Sequence, residues 1–316
     1  MIKFPYQNLG LDLVRATEAA ALEAGRWMGL GQPDGADHYA TIAMQEALNK
    51  INIDGRIALS EIDKLSENAP LHLHQSVGTG TGLKIDLVVD PVEGRELLAR
   101  GYPDAISVAV GGPRGSFWDV SPAIYMEKSV VNSEVAPALV PECLDAPAAW
   151  TLALVARAKG KDVSDLVVFV LGRPRHEDLI HEIREAGARV MLRSDGDVVG
   201  ALKALLPGGS VDIMMGVGNV PEGLIAACAA RATRGAMLGR LAPQNAEELN
   251  ALREANLDVD RVLAVDELIT SNEIFFAATG LTDGALLKGV HYHGGRATSD
   301  SIIMRGETHT HRRIEA

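Results

Sequence analysis

From residue 147 to residue 232 the chain alternates helix-forming stretches with short apolar runs, and this alternation constrains the fold more than any other feature. Helical spacing covers 147–158, 176–186, 198–205 and 221–232, with strand-like segments at 166–171, 189–192 and 211–216 between them. Successive strands joined through whole helices run parallel, which predicts a mostly parallel sheet covered by helices, an α/β architecture. In such a sheet the loops leaving the carboxyl ends of the strands display the chemistry. Two of them carry charge: Gly172-Arg173-Pro174-Arg175-His176 and Ser194-Asp195-Gly196-Asp197.

The first part of the chain has a different texture. Leu13, Ala16, Ala20, Ala21, Ala24 and Trp27 recur at spacings of three and four, predicting a helix over 9–29 stopped by Gly29 and Gly31. A second helix is expected from about Asp37 to Lys50, with Asp37 near its N-cap. Ile57-Ala58-Leu59 reads as a strand, and the glycine-rich run 77–82 as a tight turn feeding a strand over 85–89. That strand ends at Asp90-Pro91-Val92-Glu93-Gly94. Segments 105–111, 116–119 and 123–128 predict an antiparallel meander. The change of texture places a boundary near residue 138, giving domains 1–138 and 139–316. The strand-like pieces 274–277 and 302–305 are open to rejoining the first.

Thirty Lys and Arg stand against forty-two Asp and Glu, a formal net charge of −12. Phosphate backbones and anionic membranes call for a basic surface, so neither nucleic acid nor membrane is an expected partner. A phosphorylated ligand would have to be held locally, by a few cations. No apolar run approaches the roughly 18 residues of a spanning helix. Met1-Ile2-Lys3-Phe4-Pro5 does not read as a signal peptide, so the expected compartment is the cytoplasm. Cys143 and Cys228 are too few for a disulfide framework.

Acidic residues stand at element ends: Asp37, Glu61 with Asp63, Asp90 with Glu93, and Glu222. Hard divalent ions such as Mg²⁺ take carboxylate oxygens, commonly one or two per ion, with phosphate and water completing the shell. Asp90 and Glu93, three residues apart around a turn, could bridge metals. Each acid alone also suits a cap or a turn, Asp37 and Glu222 in particular. Arg173 and Arg175 offer guanidinium forks to an anion, while Asp195 and Asp197 suit sugar hydroxyls better than phosphate. The pairs His72/His74, His291/His293 and His309/His311 lack further ligands and read as exposed or edge-strand residues, not as a metal site. Gly-x-Ser-x-Gly is absent, which leaves a serine hydrolase unsupported.

An ordered set of motifs adds to this reading. It comprises Asn52-Ile53-Asp54-Gly55, Val77-Gly78-Thr79-Gly80, Val89-Asp90-Pro91-Val92-Glu93-Gly94, Tyr125-Met126-Glu127-Lys128 and Arg173-Pro174-Arg175-His176. Asp195-Gly196-Asp197, Pro221-Glu222-Gly223, Ala278-Thr279-Gly280 and Arg312-Arg313-Ile314 complete it. Over nearly its whole length the chain resembles the class II fructose-1,6-bisphosphatases, the bacterial branch of the lithium-sensitive, metal-dependent sugar phosphatases. The resemblance implies a layered α-β-α-β-α fold assembled as a homodimer or homotetramer. It implies Mg²⁺ or Mn²⁺ held by Asp37, Glu61, Asp90, Glu93 and Glu222, with Glu61 and Arg95 at catalytic positions. The substrate, a small phosphorylated sugar, would touch Glu93, Gly94, Arg95, Tyr125, Arg173, Pro174 and Arg175, and beyond them Asp195, Gly196, Asp197, Asn219 and Glu222. The implied reaction removes a phosphate from fructose 1,6-bisphosphate, or from sedoheptulose 1,7-bisphosphate, by in-line attack of water activated by the ions.

The departures from that family cluster on the implied site. Arg95 stands where the family carries Thr, and a guanidinium has donors but no acceptor for a proton. The Glu61 loop is altered so that Glu61 matches either the first or the second family Glu, and Asp63 competes for the metal role. Asn219 replaces a Gly, Ser271 an Asp, and His38 with Tyr39 replace small residues. The alternative to an active phosphatase is therefore a weak or silent paralogue that binds a sugar phosphate or regulates a partner.

Overall fold

The computed structural model describes residues 9–60 and 69–316. Two compact units emerge: one runs to Ser116 and takes up Glu273–Ala316, and the other is Phe117–Asn272. Each combines a sheet with helices, so the α/β class holds.

The first unit opens with α1 (Leu9–Ala24), whose buried Leu9, Leu13, Ala16, Ala20 and Ala24 form one stripe of helical period. The helix expected over 9–29 stops at Ala24 and tightens into a 3-10 turn, Gly25–Trp27. Helix α2 (Pro33–Leu48) begins at a proline, whose missing N–H is no loss in the first turn. Asp37 therefore lies in the second turn and not near the N-cap. There it shares the buried stripe of Ala36, Ala40, Thr41, Met44 and Leu48, which turns its carboxylate inward. Strands β1 (Ile53–Ser60), β2 (Ser76–Val77) and β3 (Leu83–Glu93) follow, then α3 (Arg95–Arg100) and β4 (Ile106–Pro113). The turn expected before β3 is present, with Gly78, Gly80 and Gly82 all at positive φ.

In the second unit come β5 (Tyr125–Val131), α4 (Ala148–Lys159), β6 (Val167–Leu171), α5 (Glu177–Glu185), β7 (Arg189–Arg193) and α6 (Asp197–Leu205). Strand β8 (Ile213–Asn219), α7 (Val220–Thr233), β9 (Ala236–Leu241), α8 (Ala246–Glu254), β10 (Leu263–Ala264) and α9 (Val265–Leu268) complete it. The strand order is β10-β9-β5-β8-β6-β7. Strand β6 runs parallel to β7 and β8, as the alternation predicts. But β5 lies antiparallel between β8 and β9, and β10 is antiparallel to β9, so the sheet is mixed and not mostly parallel. The expected meander dissolves for the same reason: β4 pairs with β3, and β5 finds its partners elsewhere. Segment 116–119 is no strand; Phe117 makes a single bridge to Ile269, and the Trp118 N–H donates to the Leu268 carbonyl. These pairings move the boundary from residue 138 to the Ser116/Phe117 junction. Helix α7 is alanine-rich and buried on nearly every side, packed against α6, β5 and β9, so it needs no polar face. Helix α6 approaches β6 so closely that a Cβ on Gly200 would overlap the Phe169 ring.

The chain then returns to the first unit as β11 (Phe275–Gly280), β12 (His291–His293), β13 (Arg296–Thr298), β14 (Asp300–Arg305) and β15 (Thr310–Glu315). Among the described residues the resulting seven-stranded sheet has the order β15-β14-β11-β4-β3-β1-β2. Helix α1 packs on β4, β11 and β14, and α2 on β3. His291 and His293 lie on the exposed hairpin β12–β13, while His72 and His74 lie in irregular backbone outside any strand. No helix among the described residues is long and apolar enough to cross a membrane.

Candidate active site

In the first unit the acidic candidates are set by a fault in a strand. In the β3/β4 ladder Asp90 stands opposite Val108 and Glu93 opposite Ile106, so four residues, 90–93, face three, 106–108. That is a β-bulge. In a regular strand residues 90 and 93 would point to opposite faces, and the extra residue returns both to one face. The two carboxylates thus share a sheet face at the strand's end and do not flank a turn, as the sequence suggested. Asp90 is 3% exposed, Glu93 2%, and Asp37, brought in by α2, 6%. The Val92 N–H donates to Asp90 Oδ1 at 3.0 Å. Gly94, at φ +87°, swings the chain straight into α3, and this makes Arg95 the first residue of that helix. Its Nη1 lies 3.7 Å from Asp37 Oδ2.

Each of these buried carboxylates is a hard oxygen donor, of the kind that suits Mg²⁺ or Mn²⁺ and not a soft ion. Asp37, Asp90 and Glu93 belong to the first unit and Glu222 to the second. Among the described residues no three His, Cys, Asp or Glu side chains gather closely enough to hold an ion unaided. Ions of this kind commonly take one or two carboxylates and complete their shell with phosphate and water. The residues present fit an ion completed in that way. Glu61 lies outside the described residues, as does Asp63.

The second unit carries its own group of candidate residues, at one end of the six-stranded sheet. Arg173, Pro174 and Arg175 follow β6; Asp195, Gly196 and Asp197 follow β7; Asn219 ends β8 and Glu222 opens α7. Tyr125 begins β5 directly opposite Asn219. Every residue of this unit expected to touch substrate is therefore at the carboxyl ends of three neighbouring parallel strands or beside them. Arg175 donates from Nε and Nη2 to the Val217 carbonyl at 3.1 and 2.8 Å, with its Cζ 5.2 Å from the Tyr125 ring centroid. Arg173 Nη2 lies 3.9 Å from Asp195 Oδ1, a long, partly exposed pair that costs little to open. Gly196, at φ +93°, is the N-cap of α6 and sets Asp197 as its first residue.

Lys128 is the residue the sequence reading overlooked. Its side chain is 1% exposed, ion-paired with Asp197, and its Nζ is 3.9 Å from Glu222 Oε2 and 3.5 Å from the Asn219 carbonyl. Gly218 leaves room for this: a Cβ there would overlap the Asp197 carboxylate and sit 2.7 Å from Nζ. Glu222 also closes a capping box, accepting the Asn219 N–H at 2.9 Å and its Nδ2 at 3.3 Å. The cap role read from its position is realised, and a carboxylate with about four lone-pair sites keeps acceptor capacity beyond it. Lys128 thus ties the acid expected to face the sugar to the acid expected to face the metal. The signal was there: Met126, Lys128 and Val130 form the buried alternation of β5, and a lysine on a strand's inward face requires a partner.

His176, quoted only as part of a motif, fastens the same end of the sheet. Its Nδ1–H donates to the Leu171 carbonyl at 2.7 Å, and its Nε2 accepts the Val217 N–H at 2.7 Å. These partners assign a neutral imidazole. Val217 is thereby held at its N–H by His176 and at its carbonyl by Arg175. Burial pushes the His176 pKa below its ordinary 6.5, aided by Arg175 and Lys128 and opposed by the Leu171 bond and Asp197. A depressed histidine takes up its proton on unfolding, so its contribution is complete above pH 6.5 and erodes as the pH falls below that value. The expected result is a thermal midpoint that drops between pH 7.5 and 5.5 by less in His176→Gln than in the wild type. Parallel slopes would refute it. Both cysteines are buried, and burial raises the Cys228 thiol pKa, so that side chain supplies no thiolate.

Comparison with known proteins agrees with the motif order. The family model described as bacterial fructose-1,6-bisphosphatase, glpX-encoded, matches residues 7–316. The class 2 fructose-1,6-bisphosphatase of Haemophilus influenzae is 37% identical over 321 residues, which span 98% of this chain and 95% of that protein. Fructose-1,6-bisphosphatase 1 class 2 of Escherichia coli K12 is 35% identical over 323 residues, with the same coverage.

Proposed function

Because the chain belongs to the family of bacterial, glpX-encoded fructose-1,6-bisphosphatases, we propose that it hydrolyses a phosphate monoester of a sugar bisphosphate. Fructose 1,6-bisphosphate is the first substrate of this reading and sedoheptulose 1,7-bisphosphate the second, with Mg²⁺ or Mn²⁺ as the ion. Assembly as a homodimer or homotetramer and work in the cytoplasm belong to the same reading. The observation that carries it is the bulge that sets Asp90 and Glu93, both buried, on one face of β3.

Asp37, Asp90 and Glu93 would hold the ion, joined in this reading by Glu61 and Glu222. When bound, it would activate the attacking water and offset charge on the leaving phosphate oxygen. Arg175, braced by Tyr125 and Val217, keeps its Nη1 donors for a phosphate oxygen. Arg173 joins it on leaving Asp195. The carboxylates of Asp195 and Asp197 then accept hydrogen bonds from sugar hydroxyls, with Lys128 fixing Asp197 in place. Arg95 cannot relay a proton, so its part is binding.

The silent-paralogue alternative rests on the Arg95 replacement and the altered Glu61 loop, and the relatives above, both named as bisphosphatases, add nothing to it. The test is direct. The purified chain with fructose 1,6-bisphosphate and Mg²⁺ or Mn²⁺ is expected to release phosphate, to stop on chelation and to slow with Li⁺. Failure to turn over any sugar bisphosphate in the presence of either ion would sink the reading.

A further inference from the structure

We infer that Arg95 is a tethered counter-ion for Asp37, one that holds this carboxylate in the metal-free protein and competes with a divalent cation for it. The inference rests on the metal reading above and concerns how this chain's own residues tune it. Asp37 comes from α2, whereas Asp90 and Glu93 come from β3, and the turn that ends β3 also carries Arg95. One stretch of backbone, 90–95, therefore presents two carboxylates and a cation, and the cation points at the third carboxylate. The guanidinium is a permanent charge, so the competition does not fade within any working pH range.

The form of the pair indicates that it is meant to open. Elsewhere in the same unit Arg56 clamps Asp86 through two hydrogen bonds, at 2.9 and 2.8 Å, the geometry of a structural fork. Arg95 reaches Asp37 across 3.7 Å, with its own side chain 32% exposed and the side chain of Asp37 alone 9% exposed. It attracts without that double grip, and it has solvent to move into. A cation that takes Asp37 must shift the guanidinium, and an anion that draws Arg95 away must in turn strengthen the cation's hold. Binding of the ion and of phosphate are thereby coupled through one side chain, reciprocally.

The experiment measures Mn²⁺ binding to the full chain by the electron paramagnetic resonance of the free ion, with no turnover involved. Arg95→Gln is expected to bind Mn²⁺ about tenfold more tightly than the wild type, within the usual range of coupling energies. Arg95→Lys, which keeps the charge, is expected to stay close to the wild type. Inorganic phosphate should tighten Mn²⁺ binding in the wild type and do so less in Arg95→Gln. In metal-free thermal melts Arg95→Gln should unfold below the wild type and recover more on adding Mn²⁺. Equal or weaker Mn²⁺ binding by Arg95→Gln overturns the inference. Asp37→Asn separates it from the reading beneath: if that variant binds Mn²⁺ as well as the wild type, Asp37 is no ligand and both fall. If Asp37→Asn weakens binding while Arg95→Gln does not strengthen it, only the role of Arg95 falls. A wild type that binds no Mn²⁺ removes both.

Discussion

Asparagine in place of Asp90 is expected to lower phosphate release by about 10³-fold, a loss of roughly 4 kcal/mol in transition-state stabilisation. The size follows from what the substitution keeps and what it removes. The amide has nearly the carboxylate's shape, and its carbonyl can still accept the Val92 N–H that now reaches Asp90 Oδ1 at 3.0 Å. The bulge therefore stays closed and Glu93 remains on its face. What disappears is the negative charge at a position only 3% exposed, where it has high value to a divalent ion. Thermal melts should show a metal-free variant no less stable than the wild type, since a buried charge has gone. Added Mn²⁺ should raise its midpoint less. An Asp90→Asn enzyme within a few-fold of wild-type turnover would remove this carboxylate from the chemistry.

The second large effect is expected from Lys128→Met, which should cost about 3–5 kcal/mol of stability, the usual penalty for breaking a buried ion pair by deleting one partner. Methionine fills much of the same volume but leaves Asp197, at 3% exposure, without its cation, and Glu222 loses the ammonium 3.9 Å away. Neither carboxylate can turn to water without disturbing α6 or the capping box of α7. Urea denaturation of the two proteins measures the loss. Adding Asp197→Asn to Lys128→Met should restore part of it, because the orphaned charge is then removed as well. A change below about 1 kcal/mol for Lys128→Met would put the pair among weak surface contacts.

The sheet end that carries Arg173, Arg175, Asp195 and Asp197 was legible because connectivity alone decides it. Parallel strands linked by helices must leave their outgoing loops on one side, and those loops were rich in charge. The turn at 78–82 was legible for an equally local reason, three glycines at positive φ. Non-local pairing was not legible. Nothing in 123–131 announces that this strand would lie between β8 and β9 and not beside β4, and the misplaced boundary at 138 follows from that one pairing. The bulge at 90–93 had a cue in Pro91, which cannot donate to a ladder, but a turn fits the same cue. Lys128 shares its motif with Tyr125, and only its inward place in the alternation of β5 marks it out.

The first unit is a split domain. Strand β4 is paired on one side by β3, and on the other by β11, which belongs to Phe275–Gly280 at the far end of the chain. During synthesis the ribosome therefore releases the whole of Phe117–Asn272 before it can supply the strands that close that edge. The nascent N-terminal segment waits with an open ladder and an α1 that lacks its packing against β11 and β14, a state exposed to misassembly, until the later unit has emerged.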